Sequence, residues 1–217
     1  MKFSTILANG YGPKKVNDGT QPEGATPEDD TSGLIQTHLT SRGARNAAEL
    51  DSISQAYNKH IYRARKKKSG TEWLTDEFLC KVHLDMFGPI WTWAGKHRTI
   101  SVNIGVTPHL IPEQIRILCG NFRSWDSGEG AMPIIEIAAR LQNGLTRIHP
   151  FKNGNGRHAR LVTDIFFYSR GHRLPKWPQI QLEAQGDAIR EQYIRAMKAA
   201  DQGEFAELIG FIKRCLG

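Results

Sequence analysis

Apolar residues along this chain recur mostly at steps of three and four, so the pattern predicts helices over most of its length. Leu50, Ile53, Tyr57, Ile61 and Ala64 form one such stripe from Asn46 onward. Thr75 offers an N-cap to a second helix, with Asp76 and Glu77 in its first turn, Phe78, Leu79, Val82 and Met86 on its apolar side and Gly88 closing it. Pro112 suits a first helical turn ahead of Ile115, Leu118 and Phe122. A further stripe runs through Ile134, Ile137, Ala138, Leu141, Leu145 and Ile148. Another runs through Leu161, Val162, Ile165 and Phe166, with Gly171 where a helix C-terminal glycine belongs. Only between Thr99 and Pro108 does the period change. There Ile100, Val102 and Ile104 alternate with Ser101, Asn103 and Gly105, the period of a strand, with Gly105 free to turn or bulge. The expectation is a mainly α fold with one short β-hairpin.

Residues 1–33 carry Gly, Pro, Thr, Asp and Asn with one short apolar patch, Ile6 to Ala8, and read as a flexible N-terminal arm ahead of a single domain over 34–217. At 217 residues, 39% apolar and 24% charged, the chain has the make-up of an ordinary soluble domain able to bury one substantial core. Cys80, Cys119 and Cys215 are widely spaced in apolar stretches, without a Cys-x-x-Cys pair, and are expected to be reduced. No apolar run approaches the roughly 20 residues of a membrane span, and Met1 to Gly10 lacks the pattern of a secretory signal. A cytoplasmic location is therefore expected, with no membrane partner.

The net charge of +7 favours anionic partners without choosing among them. The basic run Arg63 to Lys68 could touch nucleic acid, yet cations at a helix C-terminus also complement its dipole, by about 0.3–1 kcal/mol each when exposed. No helix joins base-reading polar residues to that run, so nucleic acid ranks last among the partners.

The chemistry concentrates in His149-Pro150-Phe151-Lys152-Asn153-Gly154-Asn155-Gly156-Arg157-His158-Ala159-Arg160. A Gly-rich loop between two helices makes an anion site, because the backbone approaches phosphate oxygens closely and the N–H groups of the following helix start point at them. Arg157 and Arg160 share one face of that helix, so two guanidinium forks can grip neighbouring phosphates. His149, as a neutral imidazole, could take the proton of an attacking hydroxyl, a role worth about 10²- to 10⁴-fold in rate. Taken singly, each feature also fits a structural histidine or a common turn.

Together the twelve residues resemble the Fic family signature, His-Pro-Phe-x-Asp/Glu-Gly-Asn-Gly-Arg-x-x-Arg, at every fixed position but one. The likeness extends to Trp93-Ala94-Gly95-Lys96-His97-Arg98-Thr99, similar to the approach to the Fic flap, and to Ile100 through Pro108 as the flap hairpin; it covers about residues 22–217. Gly24-Ala25-Thr26-Pro27, Asn103-Ile104-Gly105-Val106 and Ala199-Ala200-Asp201-Gln202-Gly203 resemble the subgroup called mobile mystery protein B. The resemblance implies a Fic-type helical bundle and transfer of AMP from Mg-ATP to a Ser, Thr or Tyr hydroxyl of a target protein. His149 would be the base, the backbone of Gly154, Asn155 and Gly156 the anion hole, and Arg157 and Arg160 the clamps of the outer phosphates. The flap, Ser101, Val102, Asn103, Ile104 and Gly105, would dock the target backbone edge to edge.

Asn153 is the departure, standing where the family has an acid to hold Mg²⁺ (or Mn²⁺), a hard cation that prefers charged oxygen. Three outcomes stay open: metal carried by phosphates and water with Asn153 assisting, a slow enzyme or one using another metal or nucleotide, or lost catalysis. The family's inhibitory helix, with a Glu on the second motif Arg in a Ser/Thr-x-x-x-Glu-Gly/Asn pattern, has no match. Glu49 alone is a candidate, but Arg45 and Leu50 occupy the flanking positions, and an ordinary exposed helix-start glutamate is the expectation. A separate small inhibitory protein, as in toxin and antitoxin pairs of mobile elements, would then supply the restraint. The rival reading is a Fic-fold interaction module that binds nucleotide or peptide without transfer, or that transfers a different phosphate-containing group.

Overall fold

The computed structural model describes residues 30–64, 72–127, 132–184 and 186–217. Residues 1–29 of the arm expected over 1–33 and most of the basic run, from 65 onward, lie outside the described residues. Among the described residues eight helices follow in order: α1 Arg42–Ala64, α2 Asp76–Phe87, α3 Ile111–Trp125, α4 Ile134–Ile148, α5 Asn155–Ser169, α6 Gln179–Glu183, α7 Ala188–Asp201 and α8 Ala206–Leu216. Pro108–Leu110 form a single 3₁₀ turn before α3.

α4 and α5 are the centre. α4 is buried nearly all round, with Ile137, Ala138, Leu141, Leu145 and Ile148 inside together with Gln142, Asn143 and Gly144. Two buried amides tie α4 to α7: Gln142 Nε2 donates to Tyr193 Oη at 2.8 Å and Asn143 Nδ2 to Asp201 Oδ1 at 2.8 Å. Gly144 lets α3 approach, since a Cβ there would sit 2.6 Å from Leu118 Cδ1. α1 and α2 pack against α5 from one side, and α3, α7 and α8 against α4 from the others. The Thr75 cap forms as expected, its Oγ1 accepting from Phe78 N–H at 3.1 Å, and Gly88 closes α2. Gly171 (φ 73°) ends α5 in the left-handed conformation.

α1 starts earlier than its stripe indicates, because Ser41 Oγ accepts from Ala44 N–H at 3.1 Å and acts as the cap. Its buried face mixes polar and apolar residues, Arg45, Glu49, Ser52 and His60 with Ala56, Ile61 and Ala64, flanked by the half-buried Ile53 and Tyr57.

The hairpin does not form. Among the described residues there is no strand, only the isolated bridges Leu34 to Trp91 and His97 to Phe151. The cause is Arg98, whose guanidinium donates to the carbonyls of both Ile100 and Val106 and so closes the segment between them on a side chain, leaving no partner strand. The alternation survives as exposure: Ser101, Asn103 and Gly105 are exposed while Val102 and Ile104 are half-buried.

Candidate active site

His149 ends α4 as its C-cap, with φ 53° and ψ 59°, and among the described residues it is the one non-glycine with positive φ. Such a conformation costs about 1–2 kcal/mol for an L-residue and persists only when its surroundings enforce it. Here they do. The His149 N–H donates to Leu145 O at 3.1 Å, Arg98 Nε donates to the His149 carbonyl at 2.7 Å, and Arg98 N–H donates to Pro150 O at 2.8 Å. Gly105 closes over the top, since a Cβ there would lie 2.6 Å from His149 Cβ and 2.7 Å from Arg98 Nη2. The His149 side chain is buried, and its Nδ1 has no hydrogen-bond partner. Burial lowers its pKa to about 4 against a raising contact with the Thr146 carbonyl, and the Arg98 cation lowers it further, so the imidazole is neutral at pH 7.

The loop after His149 is braced from inside. Asn155 Oδ1 accepts from Phe151 N–H at 2.9 Å, and its Nδ2 donates to Phe151 O at 2.8 Å. His83 of α2 does the rest. Its Nδ1 accepts from Gly95 N–H at 2.9 Å, so Nε2 carries the proton and donates to Asn153 O at 3.0 Å, while its ring stacks on Phe151 at 3.8 Å. Burial holds its pKa well below the usual histidine range, as it does for His158, lowered to about 3, whose Nε2 meets Leu79 O at 3.0 Å. Gly154 (φ 76°) admits Phe87 beneath the loop, where a Cβ would come within 2.5 Å of the ring.

Gly154, Asn155 and Gly156 therefore stand at the N-terminus of α5, where the first-turn N–H groups lack intrahelical acceptors and the dipole favours an anion. Asn153, expected to assist a metal, instead folds back, its Oδ1 accepting from Gly154 N–H at 2.6 Å. The stretch 149–160 contains no carboxylate. A neutral amide oxygen already engaged does not make a Mg²⁺ site by itself, since that ion is normally bound through carboxylates as well as phosphates.

The two arginines diverge. Arg157 crosses the Phe87 ring at 4.9 Å and donates from Nη1 to Glu49 Oε2 at 2.7 Å. Arg160 is buried and donates to Gln179 Oε1 at 2.7 Å, with Glu183 at 3.8 Å, while its Nη1 lies 3.6 Å from where a Gly156 Cβ would be. Glu49 corrects the sequence reading: it is 6% exposed, not a solvated helix start, and its Oε1 accepts from Trp91 Nε1 at 2.7 Å. Residue 49 falls on the buried face of α1, toward α5, and its partner is the first motif arginine, not the second.

His83, Arg98 and Trp91 thus shape the loop without belonging to it. His83 left a trace in the sequence as a histidine on the apolar face of α2, and Arg98 lies in the stretch that resembles the approach to the flap.

The sequence model of the Fic/DOC family matches residues 73–167. Over 200 residues the chain is 26% identical to a protein of Aedes aegypti named protein adenylyltransferase Fic, covering 87% of this chain and 38% of that one. The adenylyltransferase fic-1 of Caenorhabditis elegans is 28% identical over 56% of this chain and 23% of its own. The chain thus spans less than half the length of these curated relatives. Among solved structures, a Fic domain containing signalling protein of Bacteroides thetaiotaomicron superposes with a TM-score of 0.62 at 17% identity, over 77% of this chain and 68% of that one. BepC of Bartonella tribocorum, solved with bound AMPPNP, gives 0.61 at 15% identity over 86% and 93%. The fold is that of Fic proteins, and residues 73–167 of this chain match the sequence model of the Fic/DOC family.

Proposed function

We propose that this chain is a protein adenylyltransferase that moves AMP from Mg-ATP onto a Ser, Thr or Tyr hydroxyl of another protein. The observation that carries the reading is His149: buried, neutral, locked in a costly backbone conformation, with an unpartnered Nδ1, and six residues ahead of the phosphate-seeking N-terminus of α5. The target hydroxyl oxygen attacks the α-phosphorus of ATP, its proton passes to the imidazole, and the bond to the β-phosphate bridging oxygen breaks as pyrophosphate leaves. The N–H groups of the α5 first turn stabilise the charge gathering on the phosphoryl oxygens. Arg157 and Arg160 take the outer phosphates. Mg²⁺ arrives as part of the co-substrate. The names of the relatives and the nucleotide analogue bound by BepC support the same reading.

In this proposal Arg157 must exchange Glu49 for phosphate, which makes Glu49 an internal restraint and removes the reason for requiring a separate inhibitory protein. The wider role is that of a toxin of a mobile element acting in the cytoplasm, its target docked along residues 101–105. The fold of Asn153 back onto Gly154 N–H favours a second reading, a nucleotide-binding module without transfer.

Incubation with Mg²⁺ or Mn²⁺ and α-labelled ATP in cell lysate, beside His149→Ala, separates the two. Label on protein that requires His149 supports transfer, and Asn153→Asp is expected to raise it. Equal labelling in both, or none with either metal, removes the enzymatic reading; label from γ-phosphate alone indicates a phosphotransferase.

A further inference from the structure

A second group of chemically apt side chains lies outside this loop. Asp76 and Cys80 sit one turn apart on α2, and His97 reaches them from the segment that leads to the flap. All three are half-buried. Cys80 Sγ lies 3.6 Å from Asp76 Oδ1 and 3.5 Å from His97 Nε2, and His97 Nε2 lies 2.9 Å from Asp76 Oδ1. Cys80 is not in a disulfide.

Those separations are close to the edges of a coordination tetrahedron. With metal to sulfur at about 2.3 Å, metal to imidazole nitrogen at about 2.0–2.1 Å and metal to carboxylate oxygen at about 2.0–2.2 Å, tetrahedral angles place the ligand atoms about 3.3–3.6 Å apart. Both sulfur edges already have that length, and the third is short by a few tenths of an ångström, the contraction of a direct hydrogen bond. The donor set also discriminates. Thiolate, imidazole and one carboxylate suit Zn²⁺ and disfavour Mg²⁺ and Ca²⁺, which prefer all-oxygen shells. Access exists as well, since His97 lines an open groove of ≈ 520 Å³ shared with Ser101 and His109.

We propose that Asp76, Cys80 and His97 form a zinc site with solvent in the fourth position. Binding displaces the thiol proton of Cys80 to solvent, while His97 shifts its proton to Nδ1 and binds through Nε2. The ion would join the start of α2 to a segment whose backbone is already fastened to the histidine loop, through the bridge from His97 to Phe151 and the Arg98 N–H on Pro150 O at 2.8 Å. Its consequence is structural: the base of the flap and the turn after His149 become anchored to α2. The site is independent of any nucleotide chemistry.

The test uses the tag-free full chain, loaded with one equivalent of Zn²⁺ or Co²⁺ and passed through a desalting column. Expected are about one retained metal per chain, a cobalt-thiolate charge-transfer band in the near ultraviolet, and a thermal midpoint raised by about 5–10 °C at a hundredfold excess over Kd. Cys80→Ser should abolish the band. Asp76→Asn, which keeps the shape and a hydrogen bond to His97, should weaken binding at least tenfold, since even outer partners of metal ligands are worth about 10–100-fold. Cys119→Ser, on the buried side of α3, should change neither, and circular dichroism of the metal-free variants confirms that they are folded. Absence of stoichiometric metal, or a band that persists in Cys80→Ser, would overturn the assignment.

Discussion

Replacing Glu49 by Gln separates its charge from its shape. The amide keeps an oxygen for Trp91 Nε1, now held at 2.7 Å, but leaves Arg157 without its countercharge at 2.7 Å. Two unit charges near a protein surface attract by about 4 kcal/mol at 4 Å, an upper bound before desolvation is subtracted. Breaking a fully buried pair costs about 3–5 kcal/mol. Arg157 is 24% exposed and the Trp91 bond survives, so the free protein should lose less, about 1–3 kcal/mol. A bound polyphosphate returns that loss, because Arg157 then makes a charge-assisted bond worth about 1.5–3 kcal/mol without first surrendering a carboxylate. ATP should therefore bind about 5- to 150-fold more tightly to Glu49→Gln than to the wild type. Titration calorimetry reads the affinity, and thermal unfolding with and without ATP reads the exchange: a lower midpoint without nucleotide, a larger ligand-induced rise with it. An affinity within twofold of wild type, or weaker, would refute the idea that Glu49 and phosphate compete for Arg157.

Burial depresses His149 to about 4 from 6.5, so as pH falls the unfolded chain takes up that proton first and the wild type loses stability between about 6.5 and 4. His149→Ala lacks this loss, and in urea titrations its stability relative to wild type should shift in its favour by about 2 kcal/mol between pH 7 and pH 5. The same depression places the acid limb of transfer near pH 4, and a limb near 6.5 would mean that His149 is solvated. Gly154→Ala forces a Cβ to 2.5 Å from the Phe87 ring at φ 76°, and should cost about 2 kcal/mol or more in urea unfolding. Arg98→Lys keeps the charge but loses the fork on His149, Ile100 and Val106 carbonyls. It should lower label transfer at least about tenfold with ATP affinity little changed, as expected for a residue that positions the base.

The helices were legible where apolar spacing and turn chemistry agreed. Thr75 with its acidic first turn, Pro112, the α4 stripe and Gly171 all stand where the pattern placed them. α7 and α8 carry an equally clear signal, Tyr193, Ala196, Met197 and Ala200 and then Leu208, Phe211, Ile212 and Cys215. α1 was legible only in part, for a physical reason: Ile61 and Ala64 of its stripe are buried, but so are Arg45, Glu49, Ser52 and His60. Hydropathy assumes that polar side chains seek water, but Arg45 spends its donor on the Thr40 carbonyl at 2.9 Å, His60 meets Asp85 at 2.9 Å, and Glu49 has Trp91 and Arg157. With each polar group satisfied, the buried face is set by partners from other segments, which no local period encodes.

The same distinction divides the site. The loop 149–160 was readable because its chemistry is consecutive: a histidine, a glycine pair and two arginines within twelve residues. What holds the loop is scattered across the chain, and it acts mostly on backbone carbonyls, which carry no sequence signature. Arg98 illustrates this, since its partners are the carbonyls of residues 100, 106 and 149, and any residue types there would serve. It also explains why the alternation at 100–105 suggested a hairpin. Period two reports only which side of an extended segment is covered, and Val102 and Ile104 are half-buried here without a partner strand. His83 was a supporting residue open to deduction. A buried histidine has two ring nitrogens to satisfy, so its place on the inner face of α2 required one donor and one acceptor nearby, and the Gly95 N–H and the Asn153 carbonyl fill those roles.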